Sequence, residues 1–156
     1  MKKIILLALA ITMGMGVAMA QKGQMAAGGN ILYGSEINSI GLGAKFQYGI
    51  LEKLRGEAGF NYYFPNNGFH MWDLNLNAHY LFNIADKFSA YPLAGLTVVN
   101  KSYTDEDASI TRFGLNLGGG CEYEVTPNMS VNAEFKYSIV STIDQAVIAL
   151  GAVYKF

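Results

Sequence analysis

Few residues of this 156-residue chain are of the types that do chemistry, and they are scattered. His70 and His79 are its two histidines. Acyl transfer or hydrolysis would need one of them beside a hydroxyl nucleophile, with a carboxylate to orient it. The chain has no G-x-S-x-G segment, and neither histidine stands at a spacing that assigns it to a serine. His79 falls at two-residue intervals with Asp73, Asn75 and Asn77 and reads as a hydrogen-bonded structural side chain; His70, beside Trp72, reads as a polar residue at an interface. Asp105-Glu106-Asp107 is the densest acidic cluster, but it lacks the Gly and the distal Glu of a calcium-binding loop, so a solvated tip is expected. Cys121 has no second cysteine to pair with and reads as a small apolar side chain. Gly118-Gly119-Gly120 has no phosphate-loop context and suits a strand that must bend or avoid crowding. The chain therefore reads as a non-enzyme with no cofactor and no metal.

Outside the termini and the connections, the charges fall on one parity of a two-residue alternation, and that alternation names the elements that carry them. The cleanest stretch sets Trp72, Leu74, Leu76, Ala78, Tyr80 and Phe82 against Asp73, Asn75, Asn77, His79, Leu81 and Asn83. Similar patterns cover Ile40–Tyr48, Leu54–Tyr63, Arg112–Tyr123, Met129–Ile139 and Gln145–Phe156, each reading as a strand with one apolar face. Two further strands, near Gln24–Tyr33 and Phe88–Val99, are required by the spacing; the first is rich in Gly and Ala, and the second is apolar at both parities and contains Pro92. The polar parity holds Lys45, Arg55, Glu57, Asp73, His79, Arg112, Glu122, Glu134, Lys136 and Lys155. These charges nearly balance, as a buried set must.

Residues 1–20 have the three parts of a secretory signal: Lys2 and Lys3, an apolar run from Ile4 to Ile11, and the Ala18-Met19-Ala20 site. Cleavage between Ala20 and Gln21 is expected, giving a signal peptide over 1–20 and one domain over 21–156. Without Lys2 and Lys3 the chain carries nine basic and twelve acidic residues, which gives no electrostatic reason to bind nucleic acid. Connections after even strands are tight, at Leu51-Glu52-Lys53, Ala85-Asp86-Lys87 and Thr126-Pro127-Asn128. Those after odd strands are read as longer, at Gly34–Ser39, Pro65–His70, Asn100–Ser109 and Ser141–Asp144. An even strand number with this arrangement predicts an all-β, eight-stranded antiparallel up-and-down transmembrane β-barrel.

Alternation alone does not say which face is inside, since a soluble lipocalin-like barrel also alternates, with its apolar face around a ligand. Three features place the apolar face outwards. The polar parity is rich in Gly, Ser and Asn, unlike the Lys- and Glu-covered surface of a soluble protein. Its charges are nearly neutral in sum. Aromatic residues such as Phe46, Tyr48, Trp72, Tyr80, Phe82, Tyr123, Tyr137 and Tyr154 gather near strand ends on the apolar parity, where membrane barrels carry interfacial girdles. Charged side chains directed into so narrow a barrel predict a filled lumen that acts as a plug.

On these residues the chain resembles the eight-stranded outer membrane protein β-barrel family, which includes OmpA-type transmembrane domains and OmpX-like proteins. The matching stretches are Tyr91-Pro92-Leu93-Ala94-Gly95-Leu96, the segment from Cys121 to Tyr137, and the alternating ending through Tyr154 to Phe156. The resemblance implies a bacterial outer-membrane location, contact with outer-membrane lipid, and recognition of Tyr154 and Phe156 by the barrel-assembly machinery. The leading functional expectation is a structural or surface-interaction role in envelope integrity or adhesion. It would act through the outer loops, with Lys101, Tyr103, Asp105, Glu106 and Asp107 as contacts to a surface partner of unknown identity. A small solute or ion channel is the alternative, followed by a soluble exported barrel holding an apolar ligand.

Overall fold

A computed structural model describes residues 22–156. Nine strands follow one another: β1 (Met25–Gly34), β2 (Ser39–Gly49), β3 (Leu54–Asn66), β4 (Phe69–Tyr80), β5 (Phe82–Ala85), β6 (Phe88–Tyr103), β7 (Ser109–Thr126), β8 (Met129–Val140) and β9 (Gln145–Lys155). Each pairs antiparallel with its neighbour, β1 closes on β9, and β4 and β5 both pair with β6. The short β5 continues β4 beyond a break at Leu81, so the molecule is a closed barrel of eight staves. The break has a cause. Leu81, fully buried with Tyr91 and Leu93 inside the barrel, keeps the β3 register, its amide bonding the Lys53 carbonyl at 2.8 Å. On the β6 side, however, the residue opposite Tyr80 is Pro92, which has no amide to give the ladder.

Alternation now has a direction. Ile31, Leu42, Leu74, Leu76, Leu96, Leu117, Ile148 and Leu150 point outwards and are about half exposed or more, while Gln47, Asn75, Asn77, Asn116, Ser138 and Gln145 at the other parity are buried. Only lipid makes such an exterior favourable, and closing the ladder satisfies the backbone groups that lipid would leave unpaired. Tyr48, Tyr80, Phe82, Tyr123, Tyr154 and Phe156 project around the end that holds the chain termini, and Tyr33, Phe64, Phe113 and Tyr137 project nearer the other end. These are the two aromatic girdles of a membrane barrel.

The expected contrast in loop length is replaced by a contrast in strand length. The expected loop Pro65–His70 is a two-residue turn, because Asn67 and Gly68 both adopt positive φ, 52° and 79°, the pair of conformations that matches the twist of a hairpin. The expected loop Asn100–Ser109 shrinks to Thr104–Ala108, since Lys101, Ser102 and Tyr103 belong to β6, and the Tyr103 amide bonds the Ala108 carbonyl at 3.0 Å. The hairpin β6–β7, of 16 and 18 residues, is therefore longer than every other strand pair and, on its β8 side, stands five residues beyond the rim.

Glycines on the inner face permit the tight curvature. A Cβ on Gly118 would lie 2.1 Å from the Phe135 carbonyl oxygen, and one on Gly28 would lie 2.0 Å from that of Ala152. Both obstacles are backbone of the adjacent strand, so relief requires the strands to separate. Gly118→Ala is expected to lower barrel stability by about 1–3 kcal/mol, read as a lower urea midpoint in lipid vesicles. Alanine at Gly59, whose added Cβ would approach no closer than 3.6 Å, is the control and should leave the midpoint nearly unchanged.

Candidate functional site

The lumen is layered. Nearest the termini, Lys155 Nζ lies 3.2 Å from Glu124 Oε2, both side chains 6% exposed. Above them, Arg55 Nη1 contacts both Glu122 carboxylate oxygens at 3.3 and 3.0 Å. The Arg55 guanidinium also donates to His79 Nδ1 and lies 5.1 Å from the centre of the Tyr91 ring. His79 stacks on that ring at 4.5 Å. The next layer holds Lys45 Nζ 3.6 Å from Glu134 and 3.9 Å from Glu57, with Gln47 donating to Glu57 at 2.8 Å and Tyr91 to Glu134 at 2.6 Å.

Higher still, polar neutral groups take over. Asn116 Nδ2 donates to Asn75 and Asn77 at 2.8 and 2.9 Å, and Lys136 Nζ donates to Asn75 at 3.0 Å. Among the described residues no basic side chain pairs with Asp73; it accepts from Asn61 and Tyr63 at 2.8 Å each and also from Asn75. The outermost layer is apolar. Leu32, Met71, Val99, Val140 and Val147 meet inside the barrel, and Ile37 and Ile143 fold in from the β1–β2 and β8–β9 turns to complete the plug. Between these layers the polar cavity bordered by Lys45, Glu57, Asn75 and Glu134 measures only about 20 Å³, the order of one water molecule.

Of the charges expected in the lumen, Lys45, Arg55, Glu57, Asp73, His79, Glu122, Lys136 and Lys155 are buried there and Glu134 is nearly so. Arg112 is a correction. It has the inward parity, but it lies on the part of β7 above the rim, is exposed, and donates to its neighbour's Thr111 carbonyl at 3.1 Å. Glu124 takes a place in the lumen instead. Its signal was available, since it continues the Glu122 parity one step beyond the stretch read as a strand. Lys101 and Tyr103 are also corrected from loop to strand residues. Lys101 Nζ is 2.9 Å from Glu36 Oε1 and sits 4.5 Å from the centre of the Phe69 ring, which packs on Tyr103. Asp105, Glu106 and Asp107 do form the exposed tip. Tyr154 is exposed on the outer face and the Phe156 amide bonds the Met25 carbonyl at 3.0 Å. Ala20 and Gln21 lie outside the described residues.

Two chemistries can be tested on this geometry. Candidate ligand atoms of Glu57, His79 and Glu134 all lie within 4.8 Å of one another, close enough to consider a metal. The donors do not fit one. Arginine has only donors to offer, so its contacts make His79 Nδ1 the acceptor and leave the ring proton on Nε2, the nitrogen that faces Glu57 at 3.7 Å. Lys45 already lies between both carboxylates. Joint action of the histidines is also ruled out. His70 pairs opposite Ser102 at the outer rim and His79 opposite Leu93, about 30 Å along one strand.

A closed antiparallel ladder with a lipid-matched exterior and a packed polar interior defines an integral membrane β-barrel. The chain belongs to the outer membrane protein beta-barrel domain family, which it matches over residues 6–156; members of that family are bacterial outer-membrane proteins. It is 27% identical over 103 residues to the attachment invasion locus protein of Yersinia enterocolitica, covering 63% of this chain and 58% of that protein's length. The fold is shared with the N-terminal β-barrel domain of Pseudomonas aeruginosa OprF, with TM-score 0.74, 17% identity, and 86% and 98% of the two chains covered. It is also shared with Neisserial surface protein A, with TM-score 0.70, 21% identity, and 85% and 96% covered.

Proposed function

We propose that this chain is a non-enzymatic outer-membrane protein whose work is done at the cell surface, in adhesion or in the integrity of the envelope, rather than through its lumen. The observation that carries this reading is the apolar plug of Leu32, Ile37, Met71, Val99, Val140, Ile143 and Val147 above a charge layer that leaves a cavity of only about 20 Å³. A molecule that closes its own interior leaves its outer end as the surface available for function, and there the β6–β7 hairpin rises beyond the rim. Likeness to an attachment protein supports the same reading.

In this proposal residues 1–20 direct export and are removed before Gln21. Tyr154 and Phe156 are read by the barrel-assembly machinery, the outward residues are solvated by outer-membrane lipid, and nucleic acid plays no part. Two measurements test it. Fractionation of expressing cells, with electrophoresis of boiled and unboiled outer membranes, should give a band that shifts on heating and an N-terminus at Gln21. Adherence of those cells to a protein-coated surface should exceed that of cells lacking the protein, or their resistance to detergent should. A freely soluble product, or no difference in either phenotype, contradicts the proposal.

A further inference from the structure

The mouth of the barrel is crossed by its own chain. Residues 35–38, the turn between β1 and β2, bend inwards from the rim, and Ile37 is seated in the plug with 3% of its surface exposed. One position earlier, Glu36 reaches the Lys101 ammonium on β6 at 2.9 Å. Around the ring of staves, β3 and β4 separate this turn from β6 in one direction, and β9, β8 and β7 separate them in the other. The ion pair therefore joins nearly opposite walls. The turn's other ties are hydrogen bonds. Asn66 Nδ2 donates to the Ile37 and Asn38 carbonyls at 3.1 and 2.8 Å, and the Tyr33 hydroxyl donates to Asn38. Ser35 clasps the start of β9, its amide bonding the Ala146 carbonyl at 2.9 Å and its hydroxyl accepting from the Ala146 amide at 2.8 Å.

We infer that residues 35–38 are a movable lid, latched by Glu36 on Lys101, which lifts from the mouth and opens the plug beneath to the cell exterior. This goes beyond the surface role proposed above, because it gives the outer end two states where that role needs one. The reason is a difference in what holds each part of the plug. Leu32, Met71, Val99, Val140 and Val147 lie on strands, so moving them means breaking ladders on both sides. Ile37 is carried by a turn, and the turn's ties are to groups at the rim, where water replaces a hydrogen bond at small net loss. The latch is of the same kind. The Glu36 and Lys101 side chains are 29% and 18% exposed, so solvent and salt screen the pair. Lys101 also rests 4.5 Å from the centre of the Phe69 ring, which keeps its ammonium attracted to the wall after Glu36 has left.

The turn that seats the other inserted side chain favours the same motion. Beside Ile143, Thr142 is held at a φ of 67°, a conformation that its branched Cβ disfavours. Lifting the clasped turns relieves that strain. Opening stops at the plug. The Asp73 layer is built from Asn61, Tyr63 and Asn75, and the layers below it from Lys45 with Glu57 and Glu134 and from Arg55 with Glu122. All of these are strand residues bonded to one another across the lumen. A lifted lid thus makes a pocket at the outer end and no path through the barrel. Local opening of this kind belongs to the low-energy end of native fluctuations, with the open form a minor population on the order of 1%.

The test uses the whole barrel in lipid nanodiscs, with Cys121→Ala to remove the chain's own thiol and one reporter thiol added. Val99→Cys places the reporter in the plug under the lid, and Ser138→Cys places it in the polar layer below; the native side chains are 0% and 1% exposed. Reaction with the uncharged hydroxyethyl methanethiosulfonate measures how often water reaches each site. Glu36→Gln and Lys101→Met are each expected to speed the reaction at Val99→Cys by about fivefold and to leave Ser138→Cys unchanged. Raising salt from about 0.05 to about 0.5 M should speed Val99→Cys with the latch intact and not with Glu36→Gln. Glu36→Lys combined with Lys101→Glu should react more slowly than either reversal alone. The heat-shifted band shows that each variant is folded. Rates at Val99→Cys that ignore Glu36, Lys101 and salt overturn the inference and make the turn a fixed part of the wall. An equal rise at Ser138→Cys overturns it too, since the whole barrel would then be loosening.

Discussion

Arg55→Leu is expected to cost the folded barrel about 3–5 kcal/mol. The side chain is 4% exposed and, among the described residues, is the one basic partner paired with Glu122, itself 1% exposed. It also holds His79 Nδ1 and lies over the Tyr91 ring. Removing it leaves a carboxylate in the lumen with no counter-charge, and the penalty comes mainly from that stranded group. The double variant Arg55→Leu with Glu122→Leu removes both charges and should recover most of the loss, because a buried pair replaced as a pair is often nearly neutral. Urea unfolding in lipid vesicles, followed by the heat-shifted band, measures both. If the double variant were no more stable than the single one, Arg55 would act through packing on Tyr91 and His79 rather than through Glu122.

The second large effect belongs to the outer face. Leu150 is 64% exposed, midway along β9, in the centre of the apolar band. Leu150→Arg is expected to destabilise the barrel by about 2–4 kcal/mol in a bilayer, while Tyr154→Arg, in the girdle near the termini, should cost about 0–1 kcal/mol from its charge. The difference in depth is the content of the prediction. Equal and small effects at both positions would mean that water, not lipid, covers this face.

Legibility in the sequence follows from what alternation can encode. It found the staves because lipid outside and polar groups inside impose a period of two on every strand. Direction came from composition, through Asn75, Asn77, Asn116 and Ser138, which suit a narrow interior. It could not reveal the apolar plug. Leu32, Met71, Val99 and Val147 have inward parity, and against an apolar outer face they blur the pattern rather than mark a function, which is why the β6 stretch is apolar at both parities. Ile37 and Ile143 lie in turns, where parity has no meaning until the turn's path is known. The same limit explains Arg112. Parity gives the side of a strand but not the height along the barrel, and above the rim the inward side is open to water. Loop lengths were overestimated for a related reason, since Lys101 and Tyr103 look like polar loop residues when they are cut off from the Phe69 and Glu36 they touch.

The sealed lumen is the claim on which the surface role depends, and conductance tests it most directly. Purified protein that shows the heat-shifted band, inserted into a planar bilayer, should produce no discrete current steps, because a cavity of about 20 Å³ beneath an apolar plug offers ions no continuous path. Reproducible steps from the folded protein, changed in size by Lys45→Ala, would contradict the account and make the lumen a pore.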